Sequence, residues 1–104
     1  MSDVIDQTYD LLKSYGLVRS HRQFSSRFMG RSPNYYGAIM AMGRVPAVGS
    51  VAALASRVGE CQAKVETLAR AKGSIDLHRI AITLDQQRER LWEAVEERVG
   101  GRDV

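Results

Sequence analysis

Apolar residues recur along this chain at the spacing found in helices. Between residues 3 and 15 they lie three and four positions apart, which places them on one face of an α-helix. The same spacing returns from residue 75 to residue 99 and from residue 48 onward, where a helix either ends at Gly59, a weak breaker, or continues to about residue 71. Gly16 and Gly73 follow two of these segments, and glycine is favoured where a helix ends in a left-handed turn. The pattern therefore predicts an all-α protein.

Two short helices are predicted between the first and second of these segments. Ser20 and Gln23 have the spacing of a capping box, in which a serine and a glutamine satisfy free backbone N–H groups at a helix start. Ser32 and Pro33 give a second start signal, since serine caps helices well and proline suits the first helical position. The predicted helices cover residues 20–29 and 33–42, with Gly30 and Arg31 as the turn. This order is typical of a helix-turn-helix motif, although many proteins with such geometry never bind nucleic acid.

The second short helix has one side suited to the major groove of DNA. Small or polar residues make up that side, namely Ser32, Asn34, Tyr35, Gly37 and Ala38. They are small enough to enter the groove, and they offer amide and phenol groups to base edges. Tyr35 and Tyr36 are adjacent, so one of them must join the core. We place Tyr36 inward and Tyr35 outward.

Charge is distributed unevenly along the chain. The formal net charge is +3, yet residues 11–59 contain seven basic residues and no acidic one. Six of the seven are arginines, whose guanidinium groups bind phosphates and base edges bidentately. A solvated basic face would give this composition, and so would a surface that meets the phosphates of a nucleic acid.

Four short segments between residues 17 and 59 follow one family pattern. They are Gln23-Phe24-Ser25-Ser26-Arg27-Phe28-Met29-Gly30, Ser32-Pro33-Asn34-Tyr35-Tyr36-Gly37-Ala38-Ile39, Gly43-Arg44-Val45-Pro46 and Val51-Ala52-Ala53-Leu54-Ala55. This stretch resembles the Cro/C1-type (lambda-repressor-like, XRE-type) helix-turn-helix family. It departs from the family pattern where Phe24-Ser25 replaces Leu-Ala and where Met40 stands near the usual glutamate.

The resemblance implies a lambda-repressor-like bundle that binds double-stranded DNA and acts as a transcriptional regulator, in the manner of a repressor. Arg22 would then meet a phosphate, and Arg31 and Arg44 would flank the recognition helix. The residues that the resemblance assigns to DNA contact are Arg22, Arg31, Ser32, Asn34, Tyr35, Gly37 and Arg44.

Residues 60–104 are predicted to form a helical extension beyond a DNA-binding domain of residues 1–59. The apolar stripe of the extension is too long to be buried on so small a domain, so we expect an antiparallel hairpin that pairs with a second copy. The residues expected at this dimer contact are Val65, Leu68, Leu77, Ile80, Leu84, Leu91 and Val95. Gln87 and Arg88 interrupt the stripe where another apolar residue would be expected. A two-fold dimer matches an inverted-repeat operator with half-sites about one DNA turn apart.

Other classes of function have little support in the sequence. The two histidines and the single cysteine, Cys61, have no partners at metal-ligand or catalytic spacing, so we expect no enzyme, no cofactor and no small-molecule ligand. The acidic start is unlike a signal peptide, and no apolar run approaches the roughly 20 residues of a membrane span, so a cytoplasmic protein is expected.

The main alternative is a helix-turn-helix module that binds another protein, such as a larger transcription factor. Its contact surface would be the acidic C-terminal helix. The arrangement of charge separates the two hypotheses, because clustering of Arg22, Arg31 and Arg44 beside Asn34 favours DNA and scattering favours a protein partner.

Overall fold

The computed structural model describes the backbone of residues 2–100 and the side chains of residues 4–100, and every regular element in that range is helical. The helices are α1 (Ser2–Ser14), α2 (His21–Gln23, continued by a π-helical turn over Phe24–Phe28), α3 (Tyr35–Met42), α4 (Val48–Lys72) and α5 (Ile75–Gly100). The all-α prediction is confirmed. The predicted bounds of α1 and α5, and those of the longer alternative for α4, are correct to within one residue, whereas α3 begins two residues later than predicted.

Helices α4 and α5 run antiparallel along most of their length. Glu66 of α4 lies beside His78 of α5, and farther from the connection the Gly59 backbone lies against the Arg88 side chain. Gly73 joins the helices with a φ of +59°, a left-handed conformation that side chains disfavour. Gly73 was predicted to end this helix because glycine favours a left-handed turn, and the structure confirms that conformation.

One hydrophobic core crosses the boundary that was predicted at residue 59. Helix α4 is continuous through that position, and buried residues of α5 join those of α1 and α4 in a single cluster. Leu84 and Leu91 are 0% exposed within the single chain, so their assignment to a dimer contact is wrong. The expectation underestimated how much of α5 packs back onto α1 and α4. Val65, Leu77, Ile80 and Val95 are half-buried, whereas Leu68 is 44% exposed.

The polar residue Gln87, which interrupts the apolar stripe of α5, is buried and forms hydrogen bonds. Gln87 is 7% exposed, and its Nε2 donates to Thr8 Oγ1 at 2.8 Å and to the Val4 carbonyl at 3.2 Å. Thr8 itself is 0% exposed and donates to the same carbonyl at 2.7 Å. The glutamine therefore joins α5 to α1 where an apolar residue was expected.

Aromatic rings fill the core between α1, α2 and α3. The Tyr36 ring lies 4.8 Å from Phe24, 5.0 Å from His21 and 5.6 Å from Tyr9, measured between ring centroids. Its hydroxyl donates to Asp6 of α1. Tyr36 is 2% exposed, which confirms its inward placement. Burial and the hydrogen bond to Asp6 raise the pKa of Tyr36 above its usual value of about 10.

Gln87→Ala is expected to lower the free energy of unfolding by about 1–3 kcal/mol, because it removes two buried hydrogen bonds and leaves a gap. Gln86→Ala is the matched control, since Gln86 is the preceding residue and is exposed. That control should change stability by less than about 0.5 kcal/mol. Urea unfolding measures both, and equal effects would contradict the assigned role of Gln87.

Tyr36→Phe is expected to cost about 1 kcal/mol at pH 7 through the lost bond to Asp6. Since the raised pKa keeps Tyr36 protonated in the folded state, the unfolded chain alone releases this proton above about pH 10. Wild-type stability should therefore fall as pH rises through that range, and the fall should be smaller in the variant. Urea titrations between pH 7 and 11 measure the difference, and parallel curves for the two proteins would contradict it.

Candidate nucleic-acid interface

The start of α2 has the predicted cap. The Gln23 N–H donates to Ser20 Oγ at 3.2 Å, and Gln23 Oε1 accepts from the Arg19 N–H at 2.9 Å. This second bond reaches one residue beyond the usual capping box, in which the glutamine accepts from the cap residue itself. After Gln23 the helix widens into the π turn, which brings Phe24 and Phe28 into the core.

Ser25 connects the π turn to α3. Its side chain is 0% exposed, and its hydroxyl donates to the His21 carbonyl and accepts from the Tyr36 N–H, each at 2.9 Å. The Tyr36 N–H belongs to the first turn of α3, where backbone donors have no partner inside the helix. A serine eleven positions upstream thus does the work of a helix cap.

The predicted start of α3 was wrong for this reason. Ser32 and Pro33 lie in a turn that is closed by the Tyr35 N–H donating to the Ser32 carbonyl at 3.0 Å. Asn34 precedes the helix, and its side chain does not cap it. Instead, Asn34 Oδ1 accepts from Arg22 Nη1 at 3.0 Å, which joins α2 to the start of α3.

The outward side of α3 is small and uncharged. Asn34, Ala38 and Ala41 are exposed and lie on one side at helical spacing, with Gly37 half-buried beside them. We call these four residues the outer face. None of the eight residues of α3 carries a charge. Another backbone can therefore approach this face closely.

Tyr35 turns toward α4, so its outward placement is wrong. It is half-buried, and its hydroxyl accepts from the Ala47 N–H at 2.9 Å and from Ser50 Oγ at 3.3 Å. Its position on the α3 helix, nearly opposite Gly37, puts it on the α4 side. Tyr35 therefore holds the beginning of α4 instead of facing a groove.

Arg31 is fixed against the same residues. Its Nε donates to Ser50 Oγ at 2.7 Å, and its guanidinium lies 5.2 Å from the centre of the Tyr35 ring. No other residue of the described chain bonds the two terminal amino groups of Arg31. The side chain is thus held in place, while its two terminal amino groups stay available to another ligand.

The basic residues of the predicted site lie at both ends of α3. Arg22 and Arg31 are at its start, through their contacts with Asn34 and Tyr35, and Arg44 follows its C-terminal glycine. Helix α3 is about 12 Å long at 1.5 Å per residue. Arg31 lies against Tyr35 on the α4 side of this helix, and Arg44 lines a cavity with Tyr36 and Met40 on its α1 side. Of the three arginines, Arg22 alone meets the criterion of lying beside Asn34. Arg57, by contrast, is paired with Glu60 at 2.9 Å.

The cysteine and the metal-ligating side chain types of the described residues form no candidate catalytic or metal site. Cys61 is half-buried, and burial raises the pKa of its thiol. Within residues 4–100, no group of three histidine, cysteine or acidic side chains converges as metal ligands would. No helix in the described range is long and apolar enough to cross a membrane.

The described residues form an all-helical protein in which the short helix α3 presents a small, uncharged outer face. The chain belongs to a family of unknown function, DUF6626, whose model matches residues 5–102. Neither a curated protein nor a solved structure matches it. The match runs from α1 to the end of α5, so it includes both the interface and the long helices.

Ser25→Ala is expected to lower the free energy of unfolding by about 1–2 kcal/mol, because it leaves the buried Tyr36 N–H without an acceptor. Ser26→Ala is the matched control, since Ser26 is exposed and its hydroxyl only donates to the Arg22 carbonyl at 3.0 Å. Thermal unfolding and amide hydrogen exchange of Tyr36 measure the effect. If both variants melt like the wild type, Ser25 does not cap α3.

Proposed function

We propose that this protein is a cytoplasmic, sequence-specific regulator of transcription that binds double-stranded DNA through a helix-turn-helix formed by α2 and α3. The observation that carries the proposal is the small, uncharged outer face of α3, at the start of which Arg22 holds Asn34. Such a face fits the major groove, where small side chains allow close approach and an amide can read a base edge. The arginines then meet the phosphates on either side.

Asn34 is the residue proposed to read a base. A free asparagine amide pairs with both N6 and N7 of adenine. In the protein, one lone pair of Asn34 Oδ1 accepts from Arg22, which orients the amide and leaves its nitrogen and the second lone pair of the oxygen for a base edge. Arg22 is therefore proposed to position Asn34 as well as to contact a phosphate.

Arg31 is proposed as the principal phosphate contact. Its bond to Ser50 and its position over Tyr35 fix the side chain before DNA arrives, so less conformational entropy is lost on binding. Its terminal amino groups match the two oxygens of a phosphodiester. Lysine cannot bond Ser50 and also present two coplanar donors.

We also propose that two copies bind an inverted repeat and act as a repressor. The end of the α4–α5 pair at which Gly73 connects the two helices supports association. Three apolar side chains are exposed there, namely Leu68 at 44%, Ile75 at 66% and Ile82 at 45%. These side chains replace Leu84 and Leu91 as the proposed dimer contact. The half-sites would lie about 10 base pairs apart or at a multiple of that distance.

Selection from random DNA identifies the preferred duplex, and titrations at several salt concentrations then test the proposal. Asn34→Ala should cost about 1–3 kcal/mol on that duplex and little on a scrambled one. Arg31→Lys should weaken binding to both duplexes through the lost bidentate contact but keep the salt slope, because lysine retains the charge, whereas Arg31→Ala should weaken binding further and reduce the salt slope by about one. Because Arg22 holds Asn34, the double variant Arg22→Ala/Asn34→Ala should lose less than the sum of the losses in Arg22→Ala and Asn34→Ala.

Arg57→Ala is the matched control, since Arg57 is paired with Glu60 away from α3. Binding by this variant should stay close to the wild-type value. Equal losses for Asn34→Ala on both duplexes would remove it as a base reader. If the wild type fails to bind any duplex at low salt, the proposed function is wrong.

A further inference from the structure

A groove separates α1 from the C-terminal half of α3. Its walls are mostly apolar and come from α1, from α3 and from the segment that leads to α4. The residues lining it include Ile5, Asp6, Tyr36, Met40, Arg44 and Val45. We call this the α1–α3 groove. Its floor is fixed, because Ile5 and Tyr36 are buried and Arg98 of α5 donates to the Pro46 carbonyl.

The size of the groove suits one side chain better than a whole small molecule. Its volume is about 210 Å³, below the roughly 300 Å³ at which pockets for small-molecule ligands begin. Large apolar side chains nevertheless stay in water at its rim, where Met40 is 48% exposed and Val45 is 59% exposed. Methionine adapts to differently shaped partners because its side chain is flexible and polarisable.

The rim also carries an arginine without a partner. Within the described range, no acidic side chain or hydrogen-bond acceptor contacts the exposed guanidinium of Arg44. Asp6 also lines the groove, but it is half-buried and accepts the hydroxyl of Tyr36. Among the residues whose side chains the structure describes, the exposed charge at the rim is therefore positive.

We propose that the α1–α3 groove binds a peptide segment of another protein, with one aliphatic side chain inserted between Met40 and Val45 and an adjacent carboxylate on Arg44. In such contacts, a buried apolar side chain usually contributes much of the affinity, and polar or charged residues lie at the rim. The proposal does not depend on DNA binding, and a partner could engage the groove whether or not the outer face reads DNA.

The groove and the outer face lie on different sides of α3. At 100° per residue, Tyr36 and Met40 lie on the α1 side, whereas Asn34 and Ala38 point away from it. A DNA base would have to leave its stack to fill a concave apolar groove, and a charged phosphate does not suit apolar walls. These observations favour a peptide over DNA as the occupant.

Methionine-methyl NMR of the full chain tests the proposal with two twelve-residue helical peptides. One peptide carries a central leucine flanked by aspartates, and its twin carries lysines in place of the aspartates. The aspartate peptide should shift the Met40 methyl signal and bind roughly fivefold tighter than its twin, the factor of about 1 kcal/mol expected for an exposed ion pair. The buried Met29, which is 1% exposed, should stay unchanged.

Variants at exposed positions separate the contributions. Arg44→Glu should reverse the preference between the two peptides, and Met40→Ala should weaken the aspartate peptide roughly tenfold through lost apolar contact. Met42→Ala is the matched control, because Met42 is 63% exposed and does not line the groove. Binding by this control should match the wild type.

Four results would overturn the proposal. They are equal binding of both peptides, equal shifts at Met40 and Met42, a Met40 shift that depends on protein concentration alone, and a Met40 shift caused by duplex DNA but not by peptide. The third result would assign the groove to a second copy of the chain, and the fourth would assign it to nucleic acid. Loss of DNA binding in the wild type, by contrast, would leave this proposal standing.

Discussion

The side chain and backbone of Tyr36 fix α3 from three directions. The hydroxyl donates to Asp6 of α1, the ring packs on Phe24 and His21 of α2, and the backbone N–H donates to Ser25. An isolated helix of eight residues is not stable in water, because the cost of nucleation exceeds the gain from so few hydrogen bonds. The position of α3, and hence the geometry of any surface built on it, therefore depends on these tertiary contacts.

Two buried polar groups specify how the helices meet. Ser25 joins the π turn to α3, and Gln87 joins α5 to Thr8 of α1. Each group is fully hydrogen-bonded, and no buried side-chain oxygen or nitrogen in the described residues lacks a partner. Apolar packing tolerates small shifts between helices, whereas a buried hydrogen bond fails when its two groups move apart. These bonds therefore fix the registry of α1 against α5 and of α2 against α3.

The spacing of apolar residues was sufficient to predict the long helices. It failed at the start of α3, where a residue distant in the sequence accepts the hydrogen bond of a backbone N–H. The bounds of α4 and α5 followed from apolar spacing and Gly73, which are local signals. The start of α3 was misplaced because its first donor is satisfied by Ser25, eleven residues away, and Ser32 is not needed as a cap. The resemblance to a known family gave no hint of this, since its pattern has alanine where Ser25 stands.

The candidate interface was predicted in part. Arg22 was expected near the start of the first short helix and Asn34 at the start of the second, and the structure brings the two side chains into contact. Tyr35 was misplaced, because one turn of helix cannot show which of two adjacent tyrosines meets α4. No spacing rule links Arg31 to Ser50, nineteen positions apart, and the α1–α3 groove likewise depends on tertiary packing.

The short length of α3 has a mechanical consequence. Two turns of helix move as one body, so Asn34 on the outer face and Met40 in the groove cannot shift independently. A ligand that displaced the helix from one side would alter the affinity for a ligand on the other side. Thermodynamic linkage makes this coupling reciprocal, with the same factor in both directions. The contacts of the buried Tyr36 would set how far such a displacement of α3 can go.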